Sequence, residues 1–429
     1  MNLARLNHVL IPATHAERER LRRRLPARLA QPLVWIFYAL STEGRVLALA
    51  ALFVGAAGLE VGVMQVYLLW SVLFGLLCGA LGASALLRLG RVRLEVRAPA
   101  RVALGESASF ELVLRSEAAR EHHNVRLGGP FLPWDGRWES EPAPVARLGA
   151  GGSARSVARA RFLARGEHHL DAFWAAELGP LGLSLGPAVH SEGCRLLVLP
   201  RIAPVASLVL PARHRLQPGG LAGASRTGES AELFGLRPYR PGDPVRDLHA
   251  RTWARTGIPH VREYQQEYFV RAAVILDLCR AGTSERVLEA AISLAAGVVA
   301  RLSRSETLVD LLVAGPSLQA LTIGRSLGSL EQALDLLAGL RAGPSLEQAA
   351  LLAALDPYLE RLSAAVLITP SRERLVLGRR IAERDVPCRA LRVAGPEPFW
   401  RRRREGPGPH GDASEIPVWS IEGEEPLRL

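Results

Sequence analysis

From Val46 to Leu87 the chain carries a single charged side chain, Glu60. A helix needs about 20 apolar residues to cross a bilayer core, so this run is two spans long, with a break near Glu60–Gly62. Val46–Leu59 with its flanks is the first predicted helix and Gln65–Leu87 the second. The run starts too late and extends too far for a cleaved signal peptide. Arginine sets the expected orientation. Arg18, Arg20, Arg22, Arg23, Arg24, Arg28 and Arg45 precede the run, Arg88, Arg91, Arg93 and Arg97 follow it, and the turn between has none. Basic flanks stay in the cytoplasm, so both ends, and everything after Leu87, are expected on the cytoplasmic side of an inner membrane. Pro32–Leu40, with Trp35, Phe37 and Tyr38, reads as an interfacial segment before the first span.

Beyond the hairpin the period of the pattern changes twice. RVRLEVR at Arg91–Arg97 alternates strictly, as a strand with one buried face does. Ser109–Arg115, His123–Leu127, Val157–Leu163, His168–Phe173 and Cys194–Leu199 repeat the pattern between Gly, Pro and acid clusters, which predicts an antiparallel, sandwich-like β domain over 90–200. From residue 271 strands alternate with helices. RAAVILD (271–277), Leu308–Ala314, Ala364–Thr369 and Arg389–Val393 are predicted strands; Ser284–Leu302, Leu327–Leu340 and Leu346–Leu362 have helical spacing; Ile416–Ile421 reads as a last strand. Alternation of this kind predicts a mostly parallel sheet with helices on both faces, with any ligand at the carboxyl ends of the strands, beside Asp277 and Thr369. The expected division is a basic arm (1–45), the hairpin (46–87), the β domain (90–200), a linker or clasp (201–268), the α/β domain (269–395) and a tail (396–429). The fold class is therefore an α+β multidomain membrane protein with a Rossmann-like α/β domain.

Composition removes several chemistries. The formal net charge is +11, yet all 53 basic residues are arginine. Without lysine there is no phosphate-loop lysine, Schiff base or Ser–Lys dyad. Acids are interleaved with the arginines, so nucleic acid is not an expected partner. Cys78, Cys194, Cys279 and Cys388 are scattered without metal or disulfide spacing, as suits a reducing compartment. GLSLG at Gly182–Gly186 matches a nucleophile elbow, but prolines at 180 and 187 flank it and no helix starts there, so Ser184 is not a predicted nucleophile. The pairs His122–His123 and His168–His169 read as surface histidines, since strand neighbours point to opposite faces. The run Arg401–Arg404 reads as a solvated or membrane-facing patch.

The stretch 235–267, GLRPYRPGDPVRDLHARTWARTGIPHVREYQQE, is the densest in polar and aromatic side chains. Pro241-Gly242-Asp243 is a turn signal. The turn gathers Arg237, Arg240, Asp243, Arg246 and Asp247 into an arginine–acid network, expected to act as a clasp that braces the β domain against the α/β domain. Tyr, Trp and Arg are also the types enriched at interface hot spots, so a binding surface is the alternative. His249 and His260 have no serine, cysteine or metal pattern beside them.

With these residues in view the chain resembles the domain-of-unknown-function 58 family, in which a membrane hairpin precedes a β domain and a degenerate von Willebrand factor A-like domain. Thr42-Glu43-Gly44 is similar to the family's threonine–x–glycine entry into its hairpin, and LGPLGL (178–183) to its glycine turn, although the usual phenylalanine is missing. The family signature maps onto Arg237, Tyr239, Pro241, Gly242, Asp243, Arg246, Ala254, Arg255 and Glu267. The family's usual tryptophan is replaced by Ala250, with Trp253 nearby. The resemblance implies a von Willebrand A-like α/β domain whose metal site is a remnant. A complete site has Asp-x-Ser-x-Ser, a distant Thr and a later Asp. Here Asp277-Leu278-Cys279-Arg280-Ala281 lacks both serines, Pro370 stands where an aspartate is expected, and Asp277 and Thr369 are what is left. No metal, cofactor or catalytic residue is expected. The implied function is a non-enzymatic membrane scaffold with a MoxR-type AAA+ ATPase as protein partner, in protein maturation or envelope assembly. The alternative is metal-dependent adhesion or hydrolysis in the cleft beside Asp277. Nothing in the sequence sets the oligomeric state or the client.

Overall fold

The computed structural model describes residues 36–57, 64–210, 233–243, 245–264, 271–279, 284–305, 307–324, 328–341, 343–395, 413–423 and 425–429. The basic arm before residue 36, Glu60, Glu267, Arg280 and Arg401–Arg404 lie outside these residues. The chain is a mixed α/β protein with several sheets and two compact units, one running to Arg201 and including Ala338–Leu340, the other comprising 202–337 and 341–429.

The first unit begins with helices α1 (Thr42–Ala57) and α2 (Met64–Ser84). Leu40, Ala51 and Leu77 form the small core between them, while Leu68, Leu69, Val72, Phe74 and Leu76 on α2 stay exposed. Among the described residues α2 is the one helix long and apolar enough to cross a membrane. At 16 residues α1 is shorter than a span.

The strands that follow are β1 (Val92–Arg97), β2 (Arg101–Ala103), β3 (Ser107–Ser116), β4 (His122–Gly128), β5 (Gly136–Ser140), β6 (Val145–Leu148), β7 (Ser153–Phe162), β8 (Gly166–Leu170), β9 (Trp174–Glu177), β10 (Val189–His190) and β11 (Cys194–Leu199). They form three sheets, ordered β1-β3-β7-β5, β10-β9-β4-β6 and β2-β11-β8. All pairings are antiparallel except β2 with β11. Sequence period becomes packing most plainly in β7, where Ser156, Ala158, Ala160 and Phe162 are buried and the alternating Arg155, Arg159 and Arg161 are exposed. Phe110, Phe162 and Phe173 fill the centre of that core.

The second unit contains β12 (Val205–Ser207), β13 (Leu233–Pro238), α3 (Ala250–Thr256), β14 (His260–Tyr264), β15 (Arg271–Asp277), α4 (Glu285–Leu302), β16 (Leu308–Ala314), β17 (Leu318–Ile323), α5 (Leu330–Gly339), α6 (Gln348–Leu359), β18 (Ala364–Thr369), α7 (Val376–Ala382), β19 (Cys388–Ala394), β20 (Ala413–Pro417), α8 (Val418–Glu422) and β21 (Leu427–Arg428). Its main sheet has the order β17-β16-β15-β18-β19-β20, parallel except for β17. β15 and β18 are buried almost throughout because helices cover both faces, which is why they read as unbroken apolar runs. Leu351, Leu355, Leu377 and Ile381 of α6 and α7 pack on Ile275, Leu312 and Leu367. On β15 a half-buried bidentate pair, Arg271 with the buried Asp310 of β16 at 2.6 and 2.9 Å, ties two central strands together. The expected strand at 416–421 is instead the end of β20 followed by α8. Pro417 (φ −70°) closes the ladder and stands as the helix N-cap, a place its missing N–H tolerates.

Candidate functional site

The main sheet changes direction at β15. Chain order runs from β15 outward to β16 and β17, then returns to place β18 on the other side. The carboxyl ends of β15 and β18 thus flank a topological switch point, where open α/β sheets form their ligand crevices. Asp277 ends β15 and Thr369 ends β18, both fully buried. The fold brings them together, with Thr369 Oγ1 donating to Asp277 Oδ2 at 2.9 Å.

Two further residues complete the cluster. An isolated parallel bridge between Cys279 and Gly343 brings the next turn alongside, and Ser345 Oγ donates to Asp277 Oδ1 at 3.1 Å. Arg374, in the one-turn helix after β18, puts Nη1 3.0 Å from Asp277 Oδ1 and 3.1 Å from Ser345 Oγ, and Nη2 2.6 Å from the Leu346 carbonyl. The Cys279 N–H also donates to Oδ1, at 3.2 Å. Burial raises the Asp277 pKa above the usual carboxylate value. The Arg374 charge, the two hydroxyls and the Cys279 N–H all oppose that rise. The sequence marks Asp277 and Thr369 here; the fold adds a third oxygen donor, Ser345, and a cation, Arg374. Ser345 and Arg374 were out of reach because their loops join the site through strand order, not sequence spacing. Among the described residues no group of three or more His, Cys, Asp or Glu gathers in a way that could hold a metal ion.

The signature stretch folds as an antiparallel hairpin, β13 with β14, enclosing a short 3-10 turn (Val245–Asp247) and α3. Its residues fall into two sets. Arg237 Nη1 and Nη2 lie 2.6 and 2.8 Å from Asp243 Oδ2 and Oδ1, and the Arg240 N–H donates to Oδ2 at 2.8 Å. The Arg237 hydrogen bonds, then the Arg240 N–H, hold Asp243 down at a pKa of about 2. Gly242 adopts φ 105°, which a side chain would resist, and the Tyr239 N–H donates to the Pro259 carbonyl at 2.9 Å. Arg237, Tyr239, Arg240, Gly242 and Asp243 build the turn. Arg246, Trp253 and Arg255 are exposed. Within the expected arginine–acid set, the partner of Asp243 is thus Arg237 and not Arg246. Asp243 is taken by Arg237, and Arg246 keeps 86% of its side-chain surface open, with Asp247 4.0 Å away. His249 caps α3, accepting from the Thr252 N–H at 3.2 Å, and His260 Nδ1 faces the Ile258 carbonyl at 2.8 Å.

The remaining motifs have structural explanations. Ser184 is fully buried and donates to the Ala80 carbonyl of α2 at 2.7 Å, so its hydroxyl anchors a turn. The expectation of surface histidines holds for His123 and His169 and fails for their neighbours. His122 is buried beside Glu177 at 3.1 Å and His168 beside Asp135 at 2.7 Å, because the inward face of each strand takes alternate residues.

No family model matches the chain, and no curated protein matches it. Among solved structures, E. coli alpha-2-macroglobulin in its native conformation matches 30% of this chain and 8% of its own, at 20% identity and a TM-score of 0.21. Salmonella alpha-2-macroglobulin reacted with methylamine matches 29% and 9%, at 22% identity and a TM-score of 0.20. The secreted serine protease VesC from Vibrio cholerae matches 28% and 26%, at 13% identity and a TM-score of 0.18. The matches thus take in less than a tenth of either macroglobulin. Overlaps this small, at scores this low, say nothing about what the chain does.

Proposed function

We propose that the chain is a non-enzymatic inner-membrane scaffold of the domain-of-unknown-function 58 kind. In this reading α1, extended by its flanks, and α2 both span the bilayer. The sandwich-like β unit and the von Willebrand A-like α/β unit lie in the cytoplasm, and a MoxR-type AAA+ ATPase is the partner. The exposed apolar surface of α2 and the arginines on both flanks of the hairpin support the membrane placement. The partner role rests on the split within the signature. Asp243 and Arg237 are consumed by the turn, while Arg246, Trp253 and Arg255 stand exposed on the surface. Exposed Trp and Arg on a braced hairpin are what an interface hot spot needs. At the switch point both Asp277 oxygens are taken, by the Ser345 and Thr369 hydroxyls and by the Arg374 guanidinium, an arrangement that ties the carboxylate into a buried cluster. The test is affinity capture of the tagged full chain from native membranes with identification of co-purifying proteins. A MoxR-type ATPase enriched over an Arg246→Ala/Trp253→Ala control supports the reading. Equal recovery with both baits sinks it.

A further inference from the structure

Asp277, Thr369 and Ser345 offer one carboxylate and two hydroxyls at the end of a central parallel strand, a hard-oxygen set of the sort that suits a magnesium-like ion. Arg374 lies among them. Its Nη1 meets both Asp277 Oδ1 and Ser345 Oγ, at 3.0 and 3.1 Å, and the whole side chain is nearly buried. Its Nη2 is held by the Leu346 carbonyl at 2.6 Å, so the guanidinium is fixed from a second side. Charge is then balanced, one carboxylate against one guanidinium. A doubly charged ion added to this cluster would leave buried positive charge without a counter-ion, which protein interiors disfavour strongly. With Arg374 in place the residues do not fit a divalent ion.

We infer that Arg374 is the resident cation of the switch-point site, a side chain holding the oxygens together as a metal ion would. The remnant at Asp277 and Thr369 is thus a cation site whose ion has been replaced from within the chain. Two consequences follow from the contacts. The geometry of this edge is independent of divalent ions and chelators. The oxygen set is also a latent metal site, closed by a single side chain. Neither consequence depends on the partner proposed above.

The inference is tested with Mn2+ as the probe, measured by equilibrium dialysis on the full chain in detergent. Arg374→Ala is expected to bind Mn2+ more tightly than wild type by about tenfold or more. Asp277→Asn added to Arg374→Ala should abolish the gain, and Arg374→Lys, which returns a cation to the place, should behave as wild type. Should Arg374→Ala fail to fold in metal-free buffer, its melting is repeated with Mn2+, and recovery of the folded state supports the inference. It is overturned if folded Arg374→Ala binds Mn2+ no better than wild type. It is overturned equally if the double variant keeps the gain, if Arg374→Lys binds as tightly as Arg374→Ala, or if Mn2+ fails to restore an unfolded Arg374→Ala.

Discussion

His168 faces an acceptor from each ring nitrogen, the Gly166 carbonyl 3.0 Å from Nδ1 and Asp135 Oδ2 2.7 Å from Nε2. An acceptor at each nitrogen favours the doubly protonated imidazolium. Burial pushes its pKa down, but the hydrogen bond and charge of Asp135 and the Gly166 carbonyl push harder, and the net shift is upward. A raised folded pKa stabilises fully below the unfolded value near 6.5, and that stability fades as pH rises through the folded value. The melting difference between wild type and His168→Gln should therefore shrink from pH 6 to pH 9; a constant difference would count against a charged ring. Asp243 has the opposite sign. Held at about 2 against 3.8, it stabilises above pH 4 and loses that contribution as pH falls towards 2. A double-mutant cycle of Asp243→Asn with Arg237→Gln should be non-additive, whereas Asp243→Asn with Arg246→Gln should be additive. Melting curves for the two cycles decide this, and coupling to Arg246 instead would refute the assigned pair.

Elements were readable from sequence where a period ran long enough to count. β3, β7, β15 and β18 stand where alternation or an unbroken apolar run predicts them. The short strands β2, β5, β6, β9 and β10 did not announce themselves. With two to five residues each, they carry too few alternations to register, and pairing with longer neighbours decides them. Two sequence motifs far apart explain each other only once folded. Ser41 caps α1 through the Gly44 N–H at 3.0 Å and donates to the Gly182 carbonyl at 2.5 Å, so the hairpin entry docks on the 178–183 turn. A Cβ at Gly44 would overlap the Leu183 carbonyl. Gly44→Val should thus lower the melting temperature of the full chain in detergent, and Ser184→Ala should lower it less, one hydrogen bond being worth about 1 kcal/mol. Unchanged melting of Gly44→Val would remove this docking from the account.

At the scale of the molecule, composition and charge pointed to a membrane-anchored chain, and the site at Asp277 was visible only in part. Its carboxylate and Thr369 lie where a parallel sheet predicts them, at strand ends. Ser345 and Arg374 come from loops whose approach depends on strand order, which no local pattern encodes. The same holds for the signature, where turn chemistry named the residues and packing alone divided Arg237 and Asp243 from Arg246, Trp253 and Arg255. That division is what makes the proposed scaffold testable, because it separates residues that hold the hairpin from residues free to meet a partner. The most direct measurement is the affinity of a purified MoxR-type ATPase for the full chain in nanodiscs, with wild type compared against Trp253→Ala at matched melting temperature. The account predicts binding by wild type and a weakening of about tenfold or more in the variant, as a hot-spot tryptophan gives. Equal affinity of the two, or no binding by wild type, would contradict it.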